Sequence, residues 1–260
     1  MNNLKFYCKT LISKIRKFGI LSHSGRNFLG RVCVKGRGGG KKKIYRFIDF
    51  FRRINKLGKI LKILYDCNRT SYIALILYQN GLNSFIIATE NLKIFDSVFS
   101  GNIYFEASNT EIGWAVPIKN IGLFTTISNI EKNPFKGAII ARSAGTGALL
   151  IGKTGQIAIL KLNSRWELKV SEICIATIGN NSNSSHKYNI IGSAGKNRGL
   201  GFKPKVRGVA KNPCDHPHGG GNGKHSSPPV PRTAFGKIAK WTPTKVKLGE
   251  IKNRRLFKKY

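Results

Sequence analysis

Apolar residues in this chain fall in short runs broken by turn chemistry, and the central region carries no three-turn stretch with the 3.6-residue period of a helix. Residues 44–50 alternate apolar and polar positions and predict a strand. Residues 60–64, 72–78, 85–88 and 103–105 follow, bounded by Asp66-Cys67-Asn68-Arg69, Gln79-Asn80-Gly81 and Ser100-Gly101-Asn102. Strands of this length and spacing predict a small closed barrel. From Ile121 a second set begins, at residues 125–130, 137–142, 149–152, 157–162, 166–170 and 174–178. It predicts another compact barrel or sandwich.

The flanks have a different grammar. Residues 1–20 scatter Lys5, Lys9, Lys14, Arg16 and Lys17 among Leu, Ile and Phe; Ser and Arg are sparse for a presequence, so a basic arm of the mature protein is expected. From Gly25 to Lys43 glycines alternate with cations, which lets backbone amides approach phosphates while the side chains supply charge. Residues 180–185 form a polar loop, after which Gly, Pro and Lys dominate to the end. Within that tail, residues 207–224 hold Pro213, Pro217 and the run Gly219-Gly220-Gly221, with Arg207, Lys211 and Lys224 beside them. No regular element accommodates this composition, and the segment is expected to take its shape from an outside scaffold.

Charge says what the scaffold is made of. The 260 residues carry a formal net charge of +35 at pH 7. Self-repulsion on that scale opposes compaction, so a dense polyanion is the natural partner. A hydrophobic content of 41% provides for a core and sets the chain apart from wholly disordered basic proteins. No acid precedes Asp49, and only Asp215 and Glu250 follow Lys196, so two basic arms flank the apolar centre. The apolar run at residues 72–78 is too short to span a bilayer, and no membrane partner is expected. The five cysteines make no C-x-x-C pair, which points to a reducing compartment.

Three motifs invite chemistry. Residues 147–154, from Gly147 to Gly152-Lys153-Thr154, satisfy the Walker A pattern letter for letter, but a strand and not a helix follows. The better reading is a β-hairpin turning at Gly152-Lys153-Thr154-Gly155. Cys214, Asp215, His216, His218 and His225 crowd together, yet Pro217 splays the two histidines, so neither a metal site nor a Cys-His nucleophile is expected. Arg69 and Arg142 each stand at a strand edge beside turn residues, where a planar fork suits a phosphate.

Taken in order, the motifs resemble the universal L-two family of large-subunit ribosomal proteins in its bacterial and organellar form. The resemblance runs through Gly25-Arg26-Asn27 with Gly30-Arg31, Gly38-Gly39-Gly40-Lys41, Tyr45-Arg46 with Asp49-Phe50, and Tyr65-Asp66 with Asn68-Arg69. It continues through Ile73-Ala74-Leu75, Ala141-Arg142-Ser143-Ala144-Gly145-Thr146, Gly192 with Ala194-Gly195, and Pro204 with Val206-Arg207-Gly208. The most specific run is Asn212-Pro213 with Asp215-His216-Pro217-His218-Gly219-Gly220-Gly221. The departures are Arg198-Gly199-Leu200-Gly201 where relatives usually carry Arg-Trp-Arg-Gly, Asn222 in place of an acid, no basic pair near Asn83-Ser84, and a short part before Gly25.

The resemblance implies a mainly β protein, an OB-like barrel followed by an SH3-like barrel, with extended basic N- and C-terminal arms. The expected division is an N-terminal extension over 1–55, an OB-like RNA-binding barrel over 56–121, an SH3-like barrel over 122–195 and a C-terminal extension over 196–260. It implies a non-enzymatic constituent of the large subunit that organises rRNA near the peptidyl-transferase centre and supports subunit association and tRNA binding. Its partners would be large-subunit rRNA, neighbouring ribosomal proteins and the small subunit across the interface. No cofactor is expected, and any structural magnesium would be bound through the rRNA. Candidate RNA contacts in the N-terminal segment are Arg26, Asn27, Arg31, Arg37 and Lys41, and at the strand edges Arg69, Arg142 and Ser143. In the tail they are Lys196, Arg198, Lys203 and Arg207, then His216, His218 and Lys224 of the glycine-rich loop. His216 falls on a histidine long discussed in connection with peptidyl transfer; because RNA performs that reaction, an RNA-ordering role is expected of it. The bias toward Lys, Asn and Ile points to an A/T-rich organellar genome, mitochondrial before plastid. The competing readings are a non-ribosomal OB-fold binder of single strands and a P-loop enzyme.

Overall fold

The computed structural model describes residues 17–101, 111–222 and 230–240. The chain divides into two compact units, Met1–Ser22 with Lys41–Lys196, and His23–Gly40 with Asn197–Tyr260. The architecture is mainly β, an OB-like barrel followed by an SH3-like barrel.

In the first unit, β1 (Lys17–Ile20) and β2 (Lys43–Arg46) form a two-stranded antiparallel ribbon. A meander follows: β3 (Lys56–Leu64), β4 (Ile73–Tyr78), β5 (Asn83–Ile87) and β6 (Ser97–Ser100). The second half holds β7 (Ala115–Pro117), β8 (Thr126–Ser128), β9 (Ile130–Glu131), β10 (Ala138–Ile140) and β11 (Ala148–Lys153). It ends with β12 (Ile157–Leu162), β13 (Glu167–Ser171) and β14 (Ile175–Ile178). Ten strands share one sheet in the order β13-β12-β11-β8-β14-β7-β6-β3-β4-β5. Its one parallel step, β6 to β7, rests on the single pair Ser100–Ala115. That step separates the meander from the second set of strands.

Each half has its own core. Ile60, Ile76, Tyr78, Ile86 and Val98 pack inside the meander, with Ile73, Leu75 and Phe85 in a second cluster. β4 is buried along nearly its whole length, which is why its sequence runs apolar without alternation. β3 crosses it closely: a Cβ on Gly58 would stand 2.4 Å from Ile76 Cγ2, so only glycine fits there. In the second half Val116, Ile118, Ile127, Leu150, Leu160 and Ala176 are buried together.

The expected strands recur with shifted ends, and the shifts have local causes. The strand predicted over 44–50 stops at Arg46; beyond it Asp49 Oδ1 accepts from the amides of Phe51 and Arg52 at 2.9 Å each, an Asx turn. The run predicted over 125–130 is split into β8 and β9 by Asn129 at φ 49°, and β10 ends before Ala141 at φ 53°. Strands β1, β6 and β7 were not anticipated: β6 has two apolar residues in four, and β7 is three residues ending in proline. The strand expected over 103–105 lies outside the described residues.

Arg52 is a buried cation serving the scaffold. Its Nε donates to Ser100 Oγ at 2.5 Å, and its Nη2 donates to the carbonyls of Phe99 at 2.9 Å and Gly113 at 3.2 Å. Burial lowers its pKa, against the opposing pull of Tyr78 and Asp49. Because Phe99 and Ser100 end β6 and Gly113 leads toward β7, Arg52 clamps the chain where the sheet changes direction.

The second unit is largely irregular. Bridges Arg26–Val32, Arg37–Phe202 and Arg232–Ile238 and a 3-10 turn at Gly208–Ala210 organise it. The short helix α1 (Ala194–Gly199) carries the chain into it. Among the described residues no helix is long and apolar enough to cross a membrane.

Candidate nucleic-acid interface

Asp66 anchors the first cluster. Its side chain is fully buried between two guanidinium groups: Arg46 Nη1 donates to Oδ1 at 3.2 Å and Arg69 Nε donates to Oδ2 at 2.6 Å. Asn68 Nδ2 donates to the Ile44 carbonyl at 2.6 Å and closes the loop on β2. A carboxylate taken out of water is tolerated here because it is doubly paired. The pairing holds Arg69 by its Nε, so the Nη edge of the fork is what it offers a phosphate.

Arg142 is exposed just after β10. Its Cζ lies 4.8 Å over the Phe50 ring, and Nη1 donates to the Ala138 carbonyl at 3.4 Å. The turn beneath it is tied from three sides. Asn181 Nδ2 donates to the carbonyls of Ala141 at 2.7 Å and Ser143 at 3.2 Å. The Ala144 amide donates to Thr70 Oγ1 at 3.0 Å, and Asn183 Nδ2 donates to the Thr70 carbonyl at 2.7 Å. Ser71 Oγ donates to the Arg142 carbonyl at 3.5 Å. Arg69, Arg142 and Ser143 are thereby gathered onto adjoining loops of one unit.

In the second unit, the glycine-rich loop of residues 207–222 carries its own hydrogen bonds. Asp215 and His216 donate their amides to the Asn212 carbonyl at 3.0 and 3.3 Å, Gly219 donates to the His216 carbonyl at 2.8 Å, and Gly220 donates to the Lys211 carbonyl at 3.0 Å. The glycines are steric necessities: a Cβ on Gly219 would stand 2.3 Å from the Asn212 oxygen, and one on Gly208 2.5 Å from His216 Cε1. A segment expected to take its shape from an outside scaffold thus also carries hydrogen bonds of its own where it is described. Both imidazoles accept: His216 Nδ1 takes the His218 amide at 3.0 Å, and His218 Nε2 takes the Arg232 amide at 2.8 Å. Pro217 does not splay the two rings as expected: they meet edge to face at 4.9 Å, with the His218 amide folded back onto the His216 ring. Desolvation, then His218, Lys211 and Lys35, push the His216 pKa below the ordinary imidazole value. Lys35, Lys205, Lys211 and His216 line a cavity of 490 Å³ in this unit.

The other candidates are distributed. Arg26, Asn27, Arg31 and Arg37 lie in the second unit with Arg198, Lys203 and Arg207, whereas Lys41 and Lys196 belong to the first. Asn27 Oδ1 accepts the Arg31 amide at 2.9 Å and so shapes the turn between the two arginines. Arg37 Cζ stacks 4.2 Å over Phe202. Lys224 and His225 lie outside the described residues.

Lys153 stands in the hairpin β11–β12, with Thr154 and Gly155 at the turn. Its Nζ donates to the carbonyls of Lys119, at 2.7 Å, and Ile121, while Glu172 Oε1 accepts the amides of Thr154 at 3.0 Å and Gly155 at 2.9 Å. The lysine and amides that a P-loop would aim at phosphate are committed to the protein itself. Among the described residues no three His, Cys, Asp or Glu side chains stand together as metal ligands.

Two family models match most of the chain: Ribosomal Proteins L2, RNA binding N-terminal domain, over residues 9–100, and Ribosomal Proteins L2, C-terminal domain, over residues 111–236. The chain belongs to the ribosomal protein L2 family. It is 45% identical over 230 residues to the large ribosomal subunit protein uL2 of Bartonella tribocorum, covering 87% of this chain and 81% of that one. The protein of the same name from Rickettsia typhi is 46% identical over 228 residues, covering 87% and 82%. That of Paracoccus denitrificans is 42% identical over 228 residues, covering 87% and 80%. The first L2 model ends where β6 ends, at residue 100, and the second begins at residue 111, ahead of β7.

The L2 motifs single out Arg69 and Arg142 as candidates and include Asp66, but not the bonds that hold the two arginines. Asp66, Thr70, Asn181 and Asn183 carry no periodic signal, and only the folded chain brings Thr70 to Ala144, 74 residues away. Phe50 was legible as part of a motif, though not as the ring beneath Arg142.

Proposed function

We propose that this protein is a structural, non-enzymatic constituent of a large ribosomal subunit that binds and organises large-subunit rRNA near the peptidyl-transferase centre. It supports subunit association and tRNA binding, with neighbouring ribosomal proteins and the small subunit as its other partners. The observation that carries the reading is the joining of the Arg69 loop to the Arg142 turn in an L2-family chain of net charge +35. Two planar cations preset on adjoining loops suit phosphate oxygens of a folded RNA, which proteins read through shape and backbone.

Within this reading residues 56–121 are the OB-like barrel and 122–195 the SH3-like barrel, with 1–55 and 196–260 as extensions that neutralise phosphate where RNA helices pack closely. The contacts are Arg26, Asn27, Arg31, Arg37, Lys41; Arg69, Arg142, Ser143; and, in the tail, Lys196, Arg198, Lys203, Arg207, His216, His218 and Lys224. The compartment is the mitochondrial matrix, with the plastid as the alternative. Co-sedimentation tests the assignment: the protein is expected in the large subunit after a high-salt wash. Recovery in the soluble fraction, with binding of single-stranded DNA regardless of sequence, would replace it by the single-strand reading.

A further inference from the structure

Phe135 carries backbone strain. It sits at φ 63°, the left-handed region, in the turn between β9 and β10, where a bulky residue is disfavoured and glycine is at ease. Its ring is half exposed, so burial does not repay the backbone cost. What the ring does is carry a cation: Arg53 Cζ lies 5.1 Å over Phe135 and 5.1 Å over Phe51, itself half exposed. Phe51 in turn rests on the same turn, where a Cβ on Gly137 would meet its Cε1 at 3.3 Å.

The turn that Arg53 rests on carries further cations, and no ion pair among the described residues engages its guanidinium. Lys132, Lys136 and Arg53 are exposed, and Arg142 stacks on the neighbouring Phe50. Asp49 and Glu131 direct carboxylate oxygens to backbone amides and not to Arg53. Asp49 Oδ1 accepts the amides of Phe51 and Arg52, and the buried Glu131 accepts those of Phe135, Gly137 and Ile175. Among the described residues no carboxylate lies within ion-pair distance of Arg53.

We propose that Arg53, laid over the rings of Phe51 and Phe135, is a preset phosphate contact for large-subunit rRNA beside Arg142. This rests on the ribosomal reading above. Stacking leaves the in-plane N–H donors as the reactive edge, and that edge matches phosphate oxygens in bidentate fashion. The guanidinium covers one face of each ring, so what the patch presents there is a cation and not a bare aromatic pair. A protein partner would have to bring carboxylates to a surface that also holds two exposed lysines; RNA brings its charge everywhere.

The test measures binding of the full-length chain to a large-subunit rRNA transcript as a function of salt. Arg53→Ala is expected to lower the slope of log K against log salt by about one unit, and affinity near 0.1 M salt by about an order of magnitude. Arg53→Lys keeps the slope and binds several-fold more weakly, because charge remains without the fork. Phe135→Gly relieves the left-handed strain: its melting temperature holds or rises while RNA affinity falls at unchanged slope. It carries the test even if Arg53→Ala folds poorly. Wild-type slope and affinity in Arg53→Ala and Phe135→Gly, alongside a clear loss in Arg142→Ala, would overturn the Arg53 site and leave the ribosomal reading intact. Failure of the wild-type chain to prefer the transcript over unrelated single strands would overturn both. Loss of a neighbouring ribosomal protein from assembled subunits, with RNA binding unchanged, would make the patch a protein contact and also overturn the proposal.

Discussion

The amide of Ala144 donates to the hydroxyl of Thr70 at 3.0 Å, and through that bond a loop of the first barrel supports the arginine turn of the second. Thr70→Val keeps the shape and removes the acceptor. The Ala144 amide is then left without its partner, at a cost of about 1 kcal/mol in chemical denaturation. Affinity for the rRNA transcript should fall with an unchanged salt slope, because no cation is removed and only the presetting of Arg142 is loosened. A lowered slope would mean that Thr70 acts on charge, against this account.

Asp66 is the more drastic target. Replacing it with Asn keeps the volume but strips the buried countercharge from Arg46 and Arg69, whose side chains are only 22% and 15% exposed. Removing one partner of a buried pair costs about 3 kcal/mol, since the remaining charges stay desolvated. Urea unfolding of Asp66→Asn should show a loss on that scale, and Arg46→Met combined with it should be less than additive. Strict additivity would mean that Arg46 and Asp66 do not share an interaction.

How much of this was legible follows from the kind of signal each residue leaves. The β4 run and the β11–β12 hairpin are written in contiguous apolar residues and a glycine turn, so pattern alone locates them. β7 leaves three residues ending in proline, and its place is set by pairing with β14 some 60 positions away. Arg142 was visible as a cation beside turn residues. Its support was not, because hydrogen bonds from Asn181 and Ser71 obey no period. Arg52 shows the limit most clearly: in a chain this basic, one arginine buried against Ser100 and two carbonyls looks in sequence like any other.

Lys153 separates a pattern match from a site. Its pKa is lowered, chiefly by desolvation, and its ammonium caps the carbonyls of Lys119 and Ile121. Lys153→Met should lower stability by about 1 kcal/mol through the orphaned carbonyls. Adding Mg-ATP should leave the melting temperature of wild type and variant alike unchanged. A nucleotide-dependent rise in wild type that vanishes in Lys153→Met would restore the P-loop reading.

His216 links the glycine-rich loop to pH. Its Nδ1 accepts the His218 amide, so the neutral ring protonated on Nε2 is the form the loop uses, and protonation at Nδ1 breaks that bond. The folded loop holds the pKa below 6.5, through desolvation first and then through His218, Lys211 and Lys35, whereas an opened loop returns it toward 6.5. The open state therefore binds more protons below pH 6.5, and stability rises with pH where that holds. The contribution is fully present above pH 6.5 and is lost as pH falls from there through the lower folded value. Proton NMR of the imidazole should give a midpoint under 6.5, and exchange of the His218 and Gly219 amides should quicken on acidification relative to a His216→Gln control. A midpoint at or above 6.5 would show that the free loop does not hold the neutral ring, and its order would then have to come from RNA, whose phosphates favour the charged form.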